Sequence, residues 1–492
     1  MALPNLLNLN FKVPYVAAKI DFSRAVRGLR GMPRRLLLVG HKLVAGTLAL
    51  NTIMTVSNEP DAIARLGEGS QLLAMWRAAN ANRDLGLPID VVALAVNGSA
   101  TAASSTLVVG GAPTEAGEVM VYVHGQRISV AASTADTSAS IATKLIAAVN
   151  ANAKLQVVAS AGAASTMVLT AKTLGPTGND INLRSSYYPD DALAAGVTLS
   201  TPAMAGGAGN PDVSPLVVAM SGYRATEIVC PFTDSTNMAI LEAELATRWA
   251  YNNMQDGMVV NCLRGTEGGI SALLTPRNSP HVHTICVTND CTNPWETAAM
   301  AGAAIESSAA TDPAVGPTAK LLGYAGPVQG QGFVVDAMNN LMLKGGSPLN
   351  IAPDYTGSLL RMFTNYKLSP GGAADESMAQ MPWLKTMSYW RWFITSEFMN
   401  KYNNNGYKLG QYVKQPIPGQ KIMTVDLAQE IMLGLYQTFV DAGMMQNLAY
   451  YQGKLLVEID APNGKLKIVE EPVILTQHYQ SEVTSYVVAG QV

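Results

Sequence analysis

The sequence predicts an α/β core interrupted by a small α+β unit and followed by a C-terminal α+β region, with extended strand arms at both ends. Three observations predict it. Mainly apolar runs at residues 34–40, 89–96, 227–230, 258–262 and 282–287 read as buried strands, with helical patterns between them, which is the rhythm of a parallel sheet. Residues 97–209 turn rich in Ala, Gly, Ser and Thr and carry short strand candidates around one helix. Beyond residue 375 come an aromatic helix, an amphipathic helix and a hairpin. The expected divisions are an arm (1–30), a discontinuous core (31–96 with 210–374), an inserted domain (97–209), a C-terminal domain (375–475) and a second arm (476–492).

The first arm, residues 11–21, is β-prone, and Pro14 restricts it to a sheet edge; Phe11, Val13, Tyr15, Val16 and Ile20 are its candidate interface residues. A strand at 34–40, a helix at 71–81 and a strand at 89–96 open the core. In the insert, strands are expected at 106–109, 119–123, 128–130, 157–160, 167–170 and 181–185. Its helix is capped by Thr137 or Ser138 and sets Ile141, Leu145, Ala148 and Val149 on one side. Loop-like flanks at 97–99 and 205–211 mark it as inserted into another fold. The core resumes with a strand at 227–230, a helix at 237–249, strands at 258–262 and 282–287 and a helix at 294–308. A helix at 388–402 and another at 425–442, ended by Gly443, precede a hairpin whose Asn463-Gly464 turn joins 455–460 to 465–469. The helix at 425–442 turns Leu427, Ile431, Leu435 and Phe439 inward and Asp426, Glu430, Gln437 and Asp441 outward. Val483, Tyr486, Val487 and Val488 form the second arm, ahead of a small-residue tail. Two such edges either pair within the chain's own sheet or template pairing with neighbouring copies, the route to polymerisation.

Length and composition narrow the function. The 492 residues suit roughly three domains of about 100–200 residues each. Charged residues are 14% of the chain, against a typical ~25%, and a net charge of −3 leaves little repulsion between copies. No basic run exceeds Arg34-Arg35, so nucleic acid is not an expected partner. The first ten residues lack a basic segment and an adequate apolar core for a signal peptide, and runs such as 43–54 are too short and interrupted to span a bilayer; no direct membrane insertion is expected. Four cysteines are too few for a disulfide scaffold.

No catalytic residue, metal site or cofactor is expected. His281, His283, Cys286 and Cys291 are the metal-like group, but along a strand the histidines share one face and Cys286 takes the other, a poor tetrahedral set. His41 and His124 lie in contexts that read as a strand end and a hairpin, with no nucleophile loop to complete a Ser-His-Asp triad. The run Gly206–Gly209 and Gly330-Gln331-Gly332 follow neither phosphate-loop pattern. Trp383, Tyr389, Trp390, Trp392, Phe393 and Phe398 recur at helical spacing, as core residues do.

Several motifs, in order, resemble the contractile tail sheath proteins of Mu-like bacteriophages. Val13-Pro14-Tyr15-Val16 followed by Lys19-Ile20-Asp21-Phe22-Ser23-Arg24-Ala25 is similar to the family's opening, with Tyr15 for its usual Gly and Lys19 for its usual Glu. Leu66-Gly67-Glu68-Gly69-Ser70-Gln71-Leu72-Leu73-Ala74-Met75, Gly206-Gly207-Ala208-Gly209-Asn210-Pro211-Asp212 and Cys230-Pro231-Phe232-Thr233-Asp234 look like further family segments. So do Asp375-Glu376-Ser377, Tyr389-Trp390-Arg391 and Val440-Asp441-Ala442-Gly443-Met444-Met445-Gln446-Asn447, whereas residues 316–369 depart from the pattern. The resemblance implies a subtilisin-like core, an outward-facing insert, a tube-proximal C-terminal domain and a structural subunit that polymerises helically, in stacked six-fold rings, around a tail tube protein. Baseplate and tail terminator would be its other partners, and the virion tail, assembled in the host bacterial cytoplasm, its place. It also implies hinges beside the arms, at Gly28, Gly31 and Pro33 in front and near residues 476–478 behind, and a tube-facing role for Asp426, Glu430, Gln437 and Asp441. The alternatives are the sheath of a tailocin or other contractile injection system, a cytoplasmic subtilisin-like hydrolase, and a carbohydrate-binding module built on residues 97–209.

Overall fold

The computed structural model describes residues 29–328, 330–411 and 419–485 and is of mixed α/β class. The chain forms two compact units, one of Met32–Trp392 with Thr476–Val492 and one of Met1–Gly31 with Phe393–Leu475. The larger begins with β1 (Leu36–Gly40), β2 (Met54–Thr55), α1 (Glu59–Leu66), α2 (Gln71–Asn82) and β3 (Ile89–Ala93). Next come β4 (Ala102–Gly110), β5 (Gly117–Val123), β6 (Gln126–Ala132), α3 (Ser138–Ala151), β7 (Val157–Ala161), β8 (Thr166–Leu174), β9 (Leu183–Arg184) and β10 (Thr198–Ser200). Then follow α4 (Ser214–Ala219), β11 (Glu227–Val229), α5 (Ser235–Trp249), β12 (Met258–Arg264), α6 (Glu267–Leu274), β13 (Val282–Val287), α7 (Pro294–Thr311), α8 (Val335–Leu343), β14 (Gly346–Ile351) and β15 (Gly357–Leu359).

Eight strands make one sheet in the order β15-β14-β13-β12-β11-β1-β3-β2. Neighbours from β14 to β3 are all parallel, and β15 and β2 add antiparallel edges. A parallel sheet is covered on both faces, which is why β1 is buried throughout. Leu36 and Leu38 enter the core shared with α2 and α7, while Leu37 and Val39 meet Met238, Leu241 and Leu245 of α5. Helix α7 is rich in Ala and almost wholly buried. At its centre a Cβ on Gly302 would come within 3.0 Å of Val229 and 3.1 Å of Val260, so glycine sets the helix-to-sheet approach.

Residues 97–209 carry two further sheets, β10-β4-β8-β7 and β6-β5-β9, both antiparallel. Thr137 caps α3 by accepting from Ser140 N, and Ile141, Leu145 and Val149 are buried. Helix α9 (Met381–Lys401) starts seven residues before the expected 388, in the larger unit, and ends in the smaller. The smaller unit adds the parallel pair β16 (Lys408–Leu409) and β17 (Ile422–Met423), helices α10 (Val425–Asp441) and α11 (Leu448–Lys454), and the hairpin β18 (Leu456–Asp460) with β19 (Lys465–Val469).

Helix α10 corrects one expectation. Its inward residues are Ala428, Met432, Tyr436 and Phe439, whereas Leu427, Ile431 and Leu435 are half-buried. Tyrosine sets the phase: the Tyr436 ring stacks on Tyr451 at 3.7 Å, and its hydroxyl donates to Gln446 O at 2.6 Å and accepts from Val473 N at 3.0 Å. A buried phenol needs such partners, and the whole helix turns to supply them.

Candidate functional site

Open strand edges and arm roots are the parts of this molecule able to take or give a strand. Among the described residues the hairpin β18–β19 is a sheet of two, each strand pairing on one side alone. Leu456 and Val469, paired at its open end, are 65% and 60% exposed. Phe11, Val13, Tyr15, Val16, Ile20 and Gly28 at the front, and Tyr486, Val487 and Val488 at the back, lie outside the described residues. Gly31 and Pro33 are exposed in irregular chain, and a Cβ on Gly31 would meet nothing within 4 Å. Residues 481–485 carry no strand and Val483 is 85% exposed; a strand requires a ladder, and none is formed with them among the described residues.

Sequence reasoning missed how the second arm is rooted. Gln477 and Tyr479 are half-buried while Thr476, His478 and Gln480 are exposed, the alternation of an extended segment lying on a surface. Gln477 Oε1 accepts from Gly316 N at 2.7 Å. The Arg361 guanidinium lies 4.2 Å from the Tyr479 ring centre and 4.7 Å from that of Phe363. The sequence offered little signal, since Thr476-Gln477-His478-Tyr479-Gln480 carries no polar–apolar alternation of its own.

On α10, Asp426, Glu430 and Asp441 are exposed and Gln437 is half-buried, donating from Nε2 to Asp441 Oδ1 at 2.6 Å. At 100° per residue these four positions form one stripe opposite Ala428 and Phe439, an acidic face.

The motifs themselves hold the insert in place. Gly69, with φ +79°, lies where a Cβ would come within 2.6 Å of Lys172 Nζ and 2.7 Å of Ala153 O, so the Leu66–Ser70 turn cradles the insert. The strands leading into and out of the insert are zipped together: Thr101 bridges Ala208, Ser104 bridges Ala205, and Asn97 Nδ2 donates to Asn210 O at 2.9 Å. Asp234 caps α5 by accepting from Asn237 N at 3.1 Å, and Asn237 Nδ2 donates to Pro211 O at 2.8 Å.

A buried charge cluster closes the N-terminal ends of the central strands. Lys385 of α9 meets Glu227 Oε2 at 2.6 Å and pairs with Glu306 of α7, which also contacts Arg34 at 3.4 Å and accepts from the Thr226 hydroxyl at 2.7 Å. Burial pushes the Glu306 carboxyl up, but Lys385 and Arg34 outweigh it and hold it at about 2. Burial likewise acts to lower Lys385, and Glu227 and Glu306 raise it instead. His283 Nε2 stands 3.0 Å from Glu227 Oε1 without hydrogen-bond alignment. His281 rests on Trp249, ring centres 5.3 Å apart, and burial, with Arg391 nearby, lowers its imidazole to about 4. Ligands in open α/β sheets sit at the carboxyl ends of strands, so a cluster at the opposite ends reads as a fastening.

Among the described residues no group of three or more His, Cys, Asp and Glu side chains is placed to hold a metal. His41 is buried against Phe232, and His124 is buried in the turn between β5 and β6. Among the described residues a Ser–His side-chain contact joins His478 Nε2 to Ser481 Oγ at 2.7 Å, both exposed and without an orienting carboxylate bonded to the imidazole. Tyr389, Trp390 and Phe393 are buried, while Trp383, Trp392 and Phe398 are half-buried.

No protein-family model matches the chain. It is 28% identical over 462 residues to the Mu-like prophage FluMu tail sheath protein of Haemophilus influenzae, a match covering 92% of each chain. Among solved structures, the sheath tail protein of Desulfitobacterium hafniense superposes with a TM-score of 0.47 at 11% identity, over 94% of this chain and 100% of that one. The sheath tail protein of Listeria innocua superposes with a TM-score of 0.49 at 11% identity, over 92% of this chain and 95% of that one.

Proposed function

Over nearly its whole length this chain is a relative of the Mu-like prophage tail sheath protein, and we propose that it is a structural subunit of a contractile tail sheath. The observation that carries this reading is the match at 28% identity over 92% of both chains. The subunit polymerises helically around a tail tube in stacked six-fold rings, meets a baseplate and a terminator at the ends of the sleeve, and takes its place in the virion tail after assembly in the host bacterial cytoplasm. It has no enzymatic role. Its core is subtilisin-like, residues 97–209 face outward, and the acidic stripe of Asp426, Glu430, Gln437 and Asp441 faces the tube.

The arms carry the assembly. Phe11, Val13, Tyr15, Val16 and Ile20 of one copy, and Val483, Tyr486, Val487 and Val488 of another, add strands to a neighbour's sheet. The edges that β18–β19 leave unpaired among the described residues support this, since a two-stranded hairpin gains most from added strands. Each main-chain hydrogen bond gained is worth roughly 0.5–1.5 kcal/mol net, repeated along the lattice. The boundary between the two units after Gly31 supports a hinge at Gly28, Gly31 and Pro33. Contraction is then a switch between two packings of nearly rigid bodies held together by their arms.

Electron microscopy of the purified full-length protein beside a version lacking residues 1–20 and 480–492 tests the reading. Hollow helical tubes from the first and dispersed particles from the second are expected. Dispersed particles from both, with or without tail tubes, would overturn it.

A further inference from the structure

We propose that Gly316, Arg361 and Phe363 form a clasp that seats the root of the C-terminal arm and moves its pivot beyond Tyr479, to residues 480–482. The proposal rests on the sheath reading for its purpose and on geometry for its existence. Two contacts reach residues of the tail, and a third, between Arg361 and Phe363, backs one of them. The Gly316 amide donates to Gln477 Oε1 at 2.7 Å. The Tyr479 ring and the Phe363 ring lie 4.2 Å and 4.7 Å from the same guanidinium, so Arg361 is held by two aromatic faces. Gly316 is the floor: a Cβ there would stand 2.9 Å from Gln477 Oε1 and 3.2 Å from the Tyr479 hydroxyl, closer than ordinary contact.

Beyond the clasp the character of the chain changes. Gln480, Glu482 and Val483 are exposed, and the contact of His478 with Ser481 is local. The consequence is one of reach. At ~3.3 Å per residue, seating residues 476–479 takes about 13 Å of reach from the arm. The clasp therefore limits which neighbour the arm can meet and fixes its direction of departure.

Limited chymotrypsin digestion of the full-length, unassembled protein reads the clasp directly, with cleavage after Tyr479 followed by mass spectrometry and cleavage after Tyr486 as the internal reference. Slow cleavage after Tyr479 is expected in the native chain and in Tyr479→Phe, which keeps the ring. Arg361→Leu and Gly316→Val should be cut there roughly three- to tenfold faster, the population shift that a lost cation–π contact brings. Arg361 is half-exposed, so Arg361→Leu keeps the test open if Gly316→Val does not fold. Equal rates after Tyr479 in the native chain and Arg361→Leu would overturn the clasp. Failure of the native chain to form tubes would instead count against the sheath reading, and the protease result would stand apart from it.

Discussion

At the scale of single residues, the buried charges of Glu306, Lys385, Arg34 and Glu227 balance one another and tie α9 and α7 to the strand ends. Removing one partner leaves an uncompensated buried charge, so Glu306→Gln is expected to destabilise the protein by about 3–5 kcal/mol. Replacing both Glu306 and Lys385 by Met should cost much less, and urea unfolding of the two variants decides between them. A cost for Glu306→Gln below about 1 kcal/mol would mean that the cluster does not fasten the helices. The same cluster shapes the acid response. Glu306 is held at about 2, below its ordinary 4.5, so its contribution is complete above 4.5 and lost as pH falls through 2. His281 is lowered to about 4 from 6.5, so between those values the unfolded chain binds more protons and stability falls as pH drops. One such proton is worth up to roughly 1.4 kcal/mol per pH unit. His281→Gln should flatten the loss between pH 6.5 and 4 in urea titrations, and an unchanged slope would remove His281 from the account. None of this pairing was legible beforehand, because Arg34, Glu227, Glu306 and Lys385 are far apart in sequence and nothing local marks them as partners.

At the scale of elements, what was legible follows from burial. The central strands are covered on both faces, so β1 stands out as an unbroken apolar run and β3, β12 and β13 as mainly apolar ones, and α3 declares itself through its Thr137 cap. Short elements were silent. Helix α6 carries Gly268 and Gly269 in its first turn, β14 contains Pro348, and β15 has three residues, so propensity speaks against each until the neighbouring strands and helices place it. Helix α10 was legible as a helix but not in phase, because two adjacent apolar stripes compete and the hydrogen-bonding need of Tyr436 decides between them. With Ala428, Met432, Tyr436 and Phe439 inward, the acidic stripe is free to meet a partner. Charge reversal with Asp426→Lys and Glu430→Lys should leave thermal stability within about 0.5 kcal/mol, as exposed substitutions do, while weakening sheath assembly on purified tubes in a salt-dependent way. Normal assembly on tubes at low salt would show that this face looks elsewhere.

At the scale of the whole molecule, the inserted region is welded to the core although its sequence reads as a separate unit. Hydrophobic residues of the insert, among them Leu107, Val121, Ile141 and Leu169, form one continuous buried cluster with Leu36, Trp76, Val260 and Trp295 of the core. Polar contacts close the seam: Gln156 Nε2 donates to Glu296 Oε1 at 2.7 Å, Tyr187 OH donates to Gly326 O at 2.9 Å, and Gly69 admits Lys172 and Ala153 at close range. The composition shift at residue 97 marked where the chain leaves the core, but a shared interior depends on residues distant in sequence and leaves no such mark. On the sheath reading proposed above this matters, since a subunit that switches between two packings would carry its insert as part of the core, with compliance left to the arms. Native-state hydrogen exchange tests the weld. If insert and core share one interior, the slowest amides of β4, β5 and β8 should open with the same free energy as those of β1 and β12, in a single cooperative unit. Exchange of the insert strands at a free energy several kcal/mol below that of the core strands would show instead a module able to open on its own, and the rigid-body account of contraction would then have to place a second joint at the paired strands around Thr101 and Ala208.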